Sequence, residues 1–176
     1  MNGIKDSFQN IPLTYISKGQ ILVRAGELTN IAFYVEKGCL RSYLIDDRGK
    51  EHIYQFAPED WIISDEEAIL EQKAAILYID AIEDSIIKVV HRPADIISAL
   101  DRDTAIEVLA SMDRKVNAFR RRIIQLLSAT AEERYITFVK TYPNLIQRVP
   151  QKMIASYLGI TPESLSRVRK DLISKK

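Results

Sequence analysis

The stretch from Gln151 to Lys170, QKMIASYLGITPESLSRVRK, constrains this chain more than any other twenty residues. It predicts two short helices joined by a tight turn. Gly159 can adopt the left-handed conformation that ends the first helix. Thr161 and Pro162 suit the N-cap and the first position of the second. The first helix places three apolar residues on one face: Ile154, Ala155 and Leu158.

The second helix separates polar from apolar side chains, because an α-helix turns by about 100° per residue. One side carries Glu163, Ser166, Arg167 and Lys170. The opposite side carries Leu165, Val168 and Leu172. Such a helix packs its apolar side on its own domain and exposes a polar row that suits a DNA major groove. With small residues at positions 155 and 159, the pattern predicts a helix-turn-helix. The alternative is a helical hairpin that only ends a globular domain.

Charge divides the 176 residues unevenly, although the net charge is only +1. Residues 1–100 contain 10 Lys/Arg and 16 Asp/Glu, whereas residues 101–176 contain 15 and 8. The balances of −6 and +7 indicate that the second part approaches a polyanion. The alternative is ordinary surface charge.

Several classes of function are disfavoured by what the sequence contains. It has no apolar run long enough to span a bilayer and no secretory signal, so we expect a soluble, cytoplasmic protein without a membrane partner. Cys39 is the only cysteine, and His52 and His91 lack partners at ligand spacing. We therefore expect no metal, no cofactor and no iron-sulfur cluster. No catalytic set or phosphate loop indicates an enzyme.

From Tyr15 to Val90, short β-prone runs alternate with turn signals, which predicts an antiparallel sandwich or roll. The runs are QILVRAG, IAFYVEKG, CLRSYLIDDRGK, EHIYQFAPED, ILYIDA and SIIKVV. The glycine-marked turns at Gly19, Gly26 and Gly38, the FYVEKG strand end and the DDRGKE hairpin resemble the jelly-roll sensor domain of the Crp/Fnr transcription regulators, the cyclic-nucleotide-binding fold.

This resemblance implies an α+β chain with an N-terminal antiparallel β-roll at 1–92. A helical linker and long dimerisation helix follow at 93–128, and a helix-turn-helix DNA-binding domain at 129–176. The connector from Asn144 to Pro150 looks too short for a complete β-hairpin, and only six residues follow Lys170. We therefore expect the DNA-binding domain to lack a full wing.

The ligand pocket departs from the pattern of the cyclic-AMP-binding relatives. In those proteins a short helix opened by Gly-Glu holds the ribose, and an Arg some ten residues later pairs with the phosphate. Here Ile63-Ser64 and Ala74-Ala75 stand at those places, beside four carboxylates that would repel a phosphate: Asp65, Glu66, Glu67 and Glu71. We expect a degenerate pocket that does not bind cyclic AMP, with an unidentified effector or none. The acidic run is predicted to be a solvated loop, with a hard-cation site as the alternative.

A helical region from Pro93 to Ser128 carries a heptad-spaced apolar row. The row consists of Leu109, Met112, Val116, Phe119, Ile123 and Leu126. It predicts a dimer interface, which the resemblance also implies; the alternative is that the helix packs back on its own β-roll. Arg120, Arg121 and Arg122 then face either solvent or DNA phosphates. Thr130 and Glu133 form a capping box, and the helix they begin runs to about Thr141.

The run Glu163–Arg167 looks like the base-reading segment of the anaerobic-regulator branch, whose pattern is Glu, two residues, Ser, Arg. The resemblance implies that Arg167 pairs with guanine, Glu163 with a cytosine amine and Ser166 with a neighbouring base of a TTGA-type half-site. Candidate backbone contacts are Gln151, Lys152, Ser164, Arg169 and Lys170.

Together these features predict a homodimeric, sequence-specific transcription regulator that binds a pseudo-palindrome in double-stranded DNA. RNA polymerase and an unidentified small-molecule effector are further candidate partners. The alternative is a ligand- or protein-sensing module that no longer binds DNA.

Overall fold

The structure is a computed structural model that describes residues 8–174. Residues 1–7 and 175–176, which belong to the first and last predicted domains, lie outside the described residues. The chain divides into two compact units, the first ending at Asp113 and the second beginning at Arg114.

Eight strands of the described chain form two antiparallel sheets in the first unit. The strands are β1 (Leu13–Ile16), β2 (Ile21–Val23), β3 (Ile31–Lys37), β4 (Leu40–Ile45), β5 (Glu51–Ala57), β6 (Ile62–Ile63), β7 (Tyr78–Ala81) and β8 (Ser85–His91). One sheet has the order β1-β8-β3-β6 and the other β2-β7-β4-β5. The predicted antiparallel roll is confirmed.

One apolar cluster joins the two sheets. Val35 of β3 and Ile87 of β8 come from one sheet, and Leu40 of β4 and Ile79 of β7 come from the other; all four are fully buried in one cluster. Burying a side chain of this size stabilises the fold by about 1.5–3 kcal/mol. The β-branched runs recognised in the sequence are therefore the inner walls of the roll.

The turn between β3 and β4 depends on a close backbone approach. Gly38 has φ +97°, and a Cβ atom built there would lie 2.3 Å from Ser85 Oγ and 2.8 Å from Ser85 Cα. Both the left-handed conformation and the lack of space require glycine. The glycine noted in the sequence as a turn marker is thus fixed by a contact with a residue far along the chain.

The acidic run after β6 is not a solvated loop. Glu66 to Glu71 forms helix α1, and Asp65 caps it with its side chain buried. The Asp65 carboxylate accepts hydrogen bonds from the backbone N–H groups of Ala68 at 3.2 Å, Ile76 at 2.9 Å and Leu77 at 3.1 Å. The prediction was wrong here because the donors from Ile76 and Leu77 are brought to Asp65 only by the fold.

Five further helices follow the roll. They are α2 (Pro93–Ser98), α3 (Arg102–Ser128), α4 (Ala131–Thr141), α5 (Gln151–Tyr157) and α6 (Pro162–Ser174). The helical region predicted from Pro93 is interrupted before α3, since the Asp101 carboxylate accepts from the backbone N–H groups of Asp103 and Thr104, both at 3.0 Å. A side chain that caps a helix start in this way favours a new helix over a continuous one.

We predict that Asp65→Ala lowers the free energy of unfolding of the roll by about 1–3 kcal/mol, because three backbone donors lose their shared acceptor. Trp61, the single tryptophan, packs against the main core and reports on this unit during urea unfolding. Glu71→Ala is the matched control, since Glu71 is exposed in a surface pair with Lys73 and should change stability by less than about 0.5 kcal/mol. Equal effects of the two variants would contradict this role of Asp65.

Candidate nucleic-acid interface

Helix α5 ends in a turn fixed by backbone hydrogen bonds. Gly159 has φ +65°, and its N–H donates to the carbonyl of Ser156 at 3.0 Å. The N–H of Ile160 donates to the carbonyl of Ala155, also at 3.0 Å. This pair of bonds is the Schellman arrangement that terminates helices at a left-handed glycine. The predicted end of the first helix is confirmed.

Helix α6 begins as the sequence predicts. The Thr161 side-chain oxygen accepts from the backbone N–H of Ser164 at 3.2 Å, and Pro162 is the first helical residue. Leu165 is only 1% exposed, which anchors the inner side of the helix. Bonds from its own backbone N–H and from the Thr161 side chain lower the pKa of Glu163. Glu163 is therefore ionised at neutral pH and can only accept hydrogen bonds.

The residues predicted to face DNA lie along the outer side of α6 and at the start of α5. Exposed members are Lys152, Glu163, Ser166, Arg167 and Lys170. Half-buried members are Gln151, Ser164 and Arg169. Ser166, Arg169 and Lys170 line one shallow groove on the surface of α6. Helical spacing places the three predicted base-contacting side chains on one outward face, with Ser164 and Arg169 on its two flanks.

The apolar row of α3 is largely exposed within the single chain. Leu109 is 65% exposed, Val116 64% and Ile123 58%. Met112 and Leu126 are also exposed, while Phe119 is half-buried. A contiguous row of this kind on a helix is typical of a protein–protein interface. Leu126 also lies near the helix-turn-helix, since its Cδ2 atom is 3.0 Å from the Cβ position that a side chain at Gly159 would occupy.

Sequence reasoning missed two arginines that contact the turn. It left Arg122 in solvent or on DNA phosphates, and it did not single out Arg134. Arg122 Nη2 donates to the carbonyl oxygen of Tyr157 at 2.9 Å, and Arg134 Nη1 donates to that of Leu158 at 2.8 Å. Arg120 and Arg121 are exposed. The only feature of the sequence that could have indicated these contacts is position, because both arginines lie on helices that precede the turn.

Residues 8–174 contain no group of three or more His, Cys, Asp or Glu side chains placed to hold a metal ion. None of the helices in that range combines the length and apolarity needed to cross a bilayer. At the place of the relatives' Gly-Glu pair, Ser64 is buried between Ile63 and the capping residue Asp65.

The chain is similar in sequence or in structure to several known proteins. An anaerobic regulatory protein of Haemophilus influenzae is 26% identical over 171 residues, covering 87% of this chain and 63% of that relative. FixK2 from Bradyrhizobium japonicum has a similar structure, with a TM-score of 0.78, 20% identity, and coverage of 94% of this chain and 85% of that one. A CRP/FNR-family transcriptional regulator from Thermus thermophilus has a TM-score of 0.69 and 13% identity, and the match covers 93% of this chain and 87% of that one. No family model matches the chain.

The chain is therefore similar in sequence and fold to regulators of the Crp/Fnr type. It spans less than two thirds of the length of the Haemophilus relative. Within the described residues, the segment between α4 and α5 forms turns and contains no strand. This connector therefore has no β-hairpin, as its short length predicts.

We predict that Gly159→Ala destabilises the second unit by about 1–2 kcal/mol, because an L-residue is strained at positive φ. The new methyl group would also meet Leu126 Cδ2 at 3.0 Å. Thermal unfolding followed by circular dichroism at 222 nm measures the change. The double variant Gly159→Ala/Leu126→Ala separates the two causes: it should relieve only the steric part. An unchanged melting curve for the single variant would rule out both.

Proposed function

We propose that this chain is a sequence-specific, DNA-binding transcription regulator that acts as a homodimer on a pseudo-palindromic site. One observation supports this most directly: α6 exposes Glu163, Ser166 and Arg167 on one face and buries Leu165 on the other. The names of the relatives, as regulators, agree with it. A DNA target implies a cytoplasmic location and a binding function in place of an enzymatic one.

Base recognition follows from the chemistry of these three side chains. Arg167 offers a planar fork of donors, which matches the N7 and O6 acceptors of guanine. Glu163, ionised and acceptor-only, matches the donor amine of cytosine. Ser166 is one turn from Glu163 and adjacent to Arg167, so its hydroxyl reaches a neighbouring base. The three together favour a TTGA-type half-site.

Backbone contacts fix the register of the helix on the duplex. Lys152 and Lys170 are exposed cations, Arg169 lies on a flank of α6, and Gln151 begins α5. Ser164 lies at the start of α6, where its hydroxyl oxygen is 3.1 Å from that of Thr161. A phosphate oxygen beside this helix start is a suitable partner for its hydroxyl.

Dimerisation through α3 supplies the two-fold symmetry that a pseudo-palindrome requires. The exposed heptad row would be buried between two copies of the helix. The functional division at 1–92, 93–128 and 129–176 fits this arrangement, since the boundary between the compact units falls inside the middle segment. RNA polymerase and a small-molecule effector other than cyclic AMP are further proposed partners.

We predict that Arg167→Ala loses about 1–3 kcal/mol per half-site on the preferred sequence and relaxes specificity. The preferred sequence is obtained by selecting bound molecules from random DNA with the native chain.

Lys170→Ala should instead weaken binding to all sequences alike. It should also reduce the slope of log binding constant against log salt concentration by about 1. Equal losses on selected and random DNA for both variants would reject the assignment of Arg167. Failure of the native chain to retain any DNA at low salt would reject the proposed function.

We predict that Val116→Glu/Phe119→Glu converts the dimer to a monomer, because it places two carboxylates in the apolar row. Light scattering measures the mass. The matched control is Ala110→Glu/Ala118→Glu, which adds the same charge at exposed alanines away from the row. The control should remain dimeric. A native mass for the first variant would exclude this row as the interface.

A further inference from the structure

We propose that Arg122 is a positioning residue that clamps the C-terminal half of α3 to the turn of the helix-turn-helix, and thereby sets the spacing of the two α6 helices in the dimer. The inference rests on the proposed function for its consequence on DNA. The contact itself stands independently of DNA.

The clamp is built from two arginines on the helices that precede α5. Arg122 of α3 donates through Nη2 to the Tyr157 carbonyl at 2.9 Å, and its guanidinium carbon lies 4.0 Å from the centre of the Tyr157 ring. Arg134 of α4 donates through Nη1 to the Leu158 carbonyl at 2.8 Å. One guanidinium group therefore holds both the backbone and the side chain of Tyr157.

These contacts complete the hydrogen bonding at the end of α5. The carbonyls of Ala155 and Ser156 accept from Ile160 and Gly159. The next two carbonyls belong to Tyr157, the last residue of α5, and to Leu158, which follows it. At a helix end such carbonyls have no donor further along the same helix. Four residues beyond Leu158 stands Pro162, which has no N–H to offer. The two arginines supply the donors, and their positive charge also suits the negative end of the helix dipole.

The ring under Arg122 is held in place by neighbouring aromatic residues. Tyr157 lies 5.5 Å from Phe138 and 6.2 Å from Tyr142, measured between ring centres. Helix α3 is also bonded to α4, since Gln125 Nε2 donates to Thr137 Oγ1 at 3.0 Å. The end of α3, the helix α4 and the turn after α5 are therefore connected as one assembly.

The position of Arg122 links this assembly to the proposed dimer interface. Val116 and Ile123 lie on the same half of α3, and Ile123 is the next residue along the helix. A rotation of α3 against its partner in the dimer would move the Arg122 side chain, and with it the turn that orients α6. The spacing between the two base-contacting helices then depends on this one arginine. Because its guanidinium group is half-buried and bonded within its own unit, Arg122 is not a phosphate contact.

The experiment compares Arg122→Gln with Arg121→Gln, both in the full chain. Arg121 is the adjacent exposed arginine, so the control removes the same charge without touching the turn. The DNA panel contains the selected palindrome and versions with one base pair inserted or removed at its centre. Arg122→Gln should reduce the preference for the native spacing by about tenfold, as expected for the loss of a charge-assisted hydrogen bond. Its salt slope should stay unchanged, and Arg121→Gln should keep the spacing preference.

A phosphate role would give a different result: equal weakening on every spacing and a salt slope smaller by about 1. That outcome, or an unchanged spacing preference for Arg122→Gln, would overturn the proposal. Arg122→Lys provides a second variant if the glutamine variant loses helix content. It retains a cation near the Tyr157 carbonyl but not the planar fork, and should give an intermediate preference.

Amide hydrogen exchange tests the clamp without DNA. Exchange at Gly159 and Ile160 should be about tenfold faster in Arg122→Gln than in Arg121→Gln, because the turn opens more often when one of its anchoring bonds is lost. Equal exchange in the two variants would overturn the clamp. If the native chain bound no DNA while the exchange rates differed, the proposed function would fail and the contact would stand, so the two failures are distinguishable.

Discussion

Helix α5 is the constraint on which the candidate interface depends, since seven residues do not form a stable helix alone in water. Its stability comes from outside. Its own residues Ile154 and Ala155 are fully buried, and Leu165 of α6 is also buried in the second unit. Its last carbonyls receive hydrogen bonds from the turn and from two arginines. Only with this end secured does α6 leave at a fixed angle and present Arg167 in a defined direction.

In the first unit a carboxylate, not an arginine, bonds to backbone groups that have no partner in a helix or sheet. The backbone around α1 leaves N–H groups without sheet or helix partners, and the buried Asp65 carboxylate accepts three of them. Buried charge elsewhere in the roll is paired, since Arg41 makes two bonds to Asp80 at 2.7 and 2.8 Å and a third to Glu51 at 2.6 Å. Asp65 in the first unit and Arg122 and Arg134 in the second complete the hydrogen bonding of backbone groups where regular structure ends, which offsets the cost of removing their charges from water.

This distribution explains which parts of the molecule could be predicted from sequence. Signals confined to a few neighbouring residues were correct: the Thr161 cap, the Gly159 turn, and the Thr130 and Glu133 capping box with both of its bonds present. The missed features join distant residues. Arg122 is 35 positions from Tyr157, and Asp65 is 12 from Leu77. A run of three arginines carries no mark of which one turns inward, because only the packing of α3 against α4 and α5 decides it.

The turns between α4 and α5 bear on how such a domain could hold its register on DNA. In residues 8–174 that segment has no β-hairpin, so it offers no strand pair for further backbone contacts. On the proposed function, the DNA contacts that fix orientation lie on α6 and at the start of α5. Phosphate contacts that lie close together resist rotation of the domain only weakly, because the distance between them is small. On the proposed function, orientation also depends on the attachment of the helix-turn-helix to the helices before it. Arg122 of α3 makes this attachment at the Tyr157 carbonyl, and Arg134 of α4 makes it at the Leu158 carbonyl.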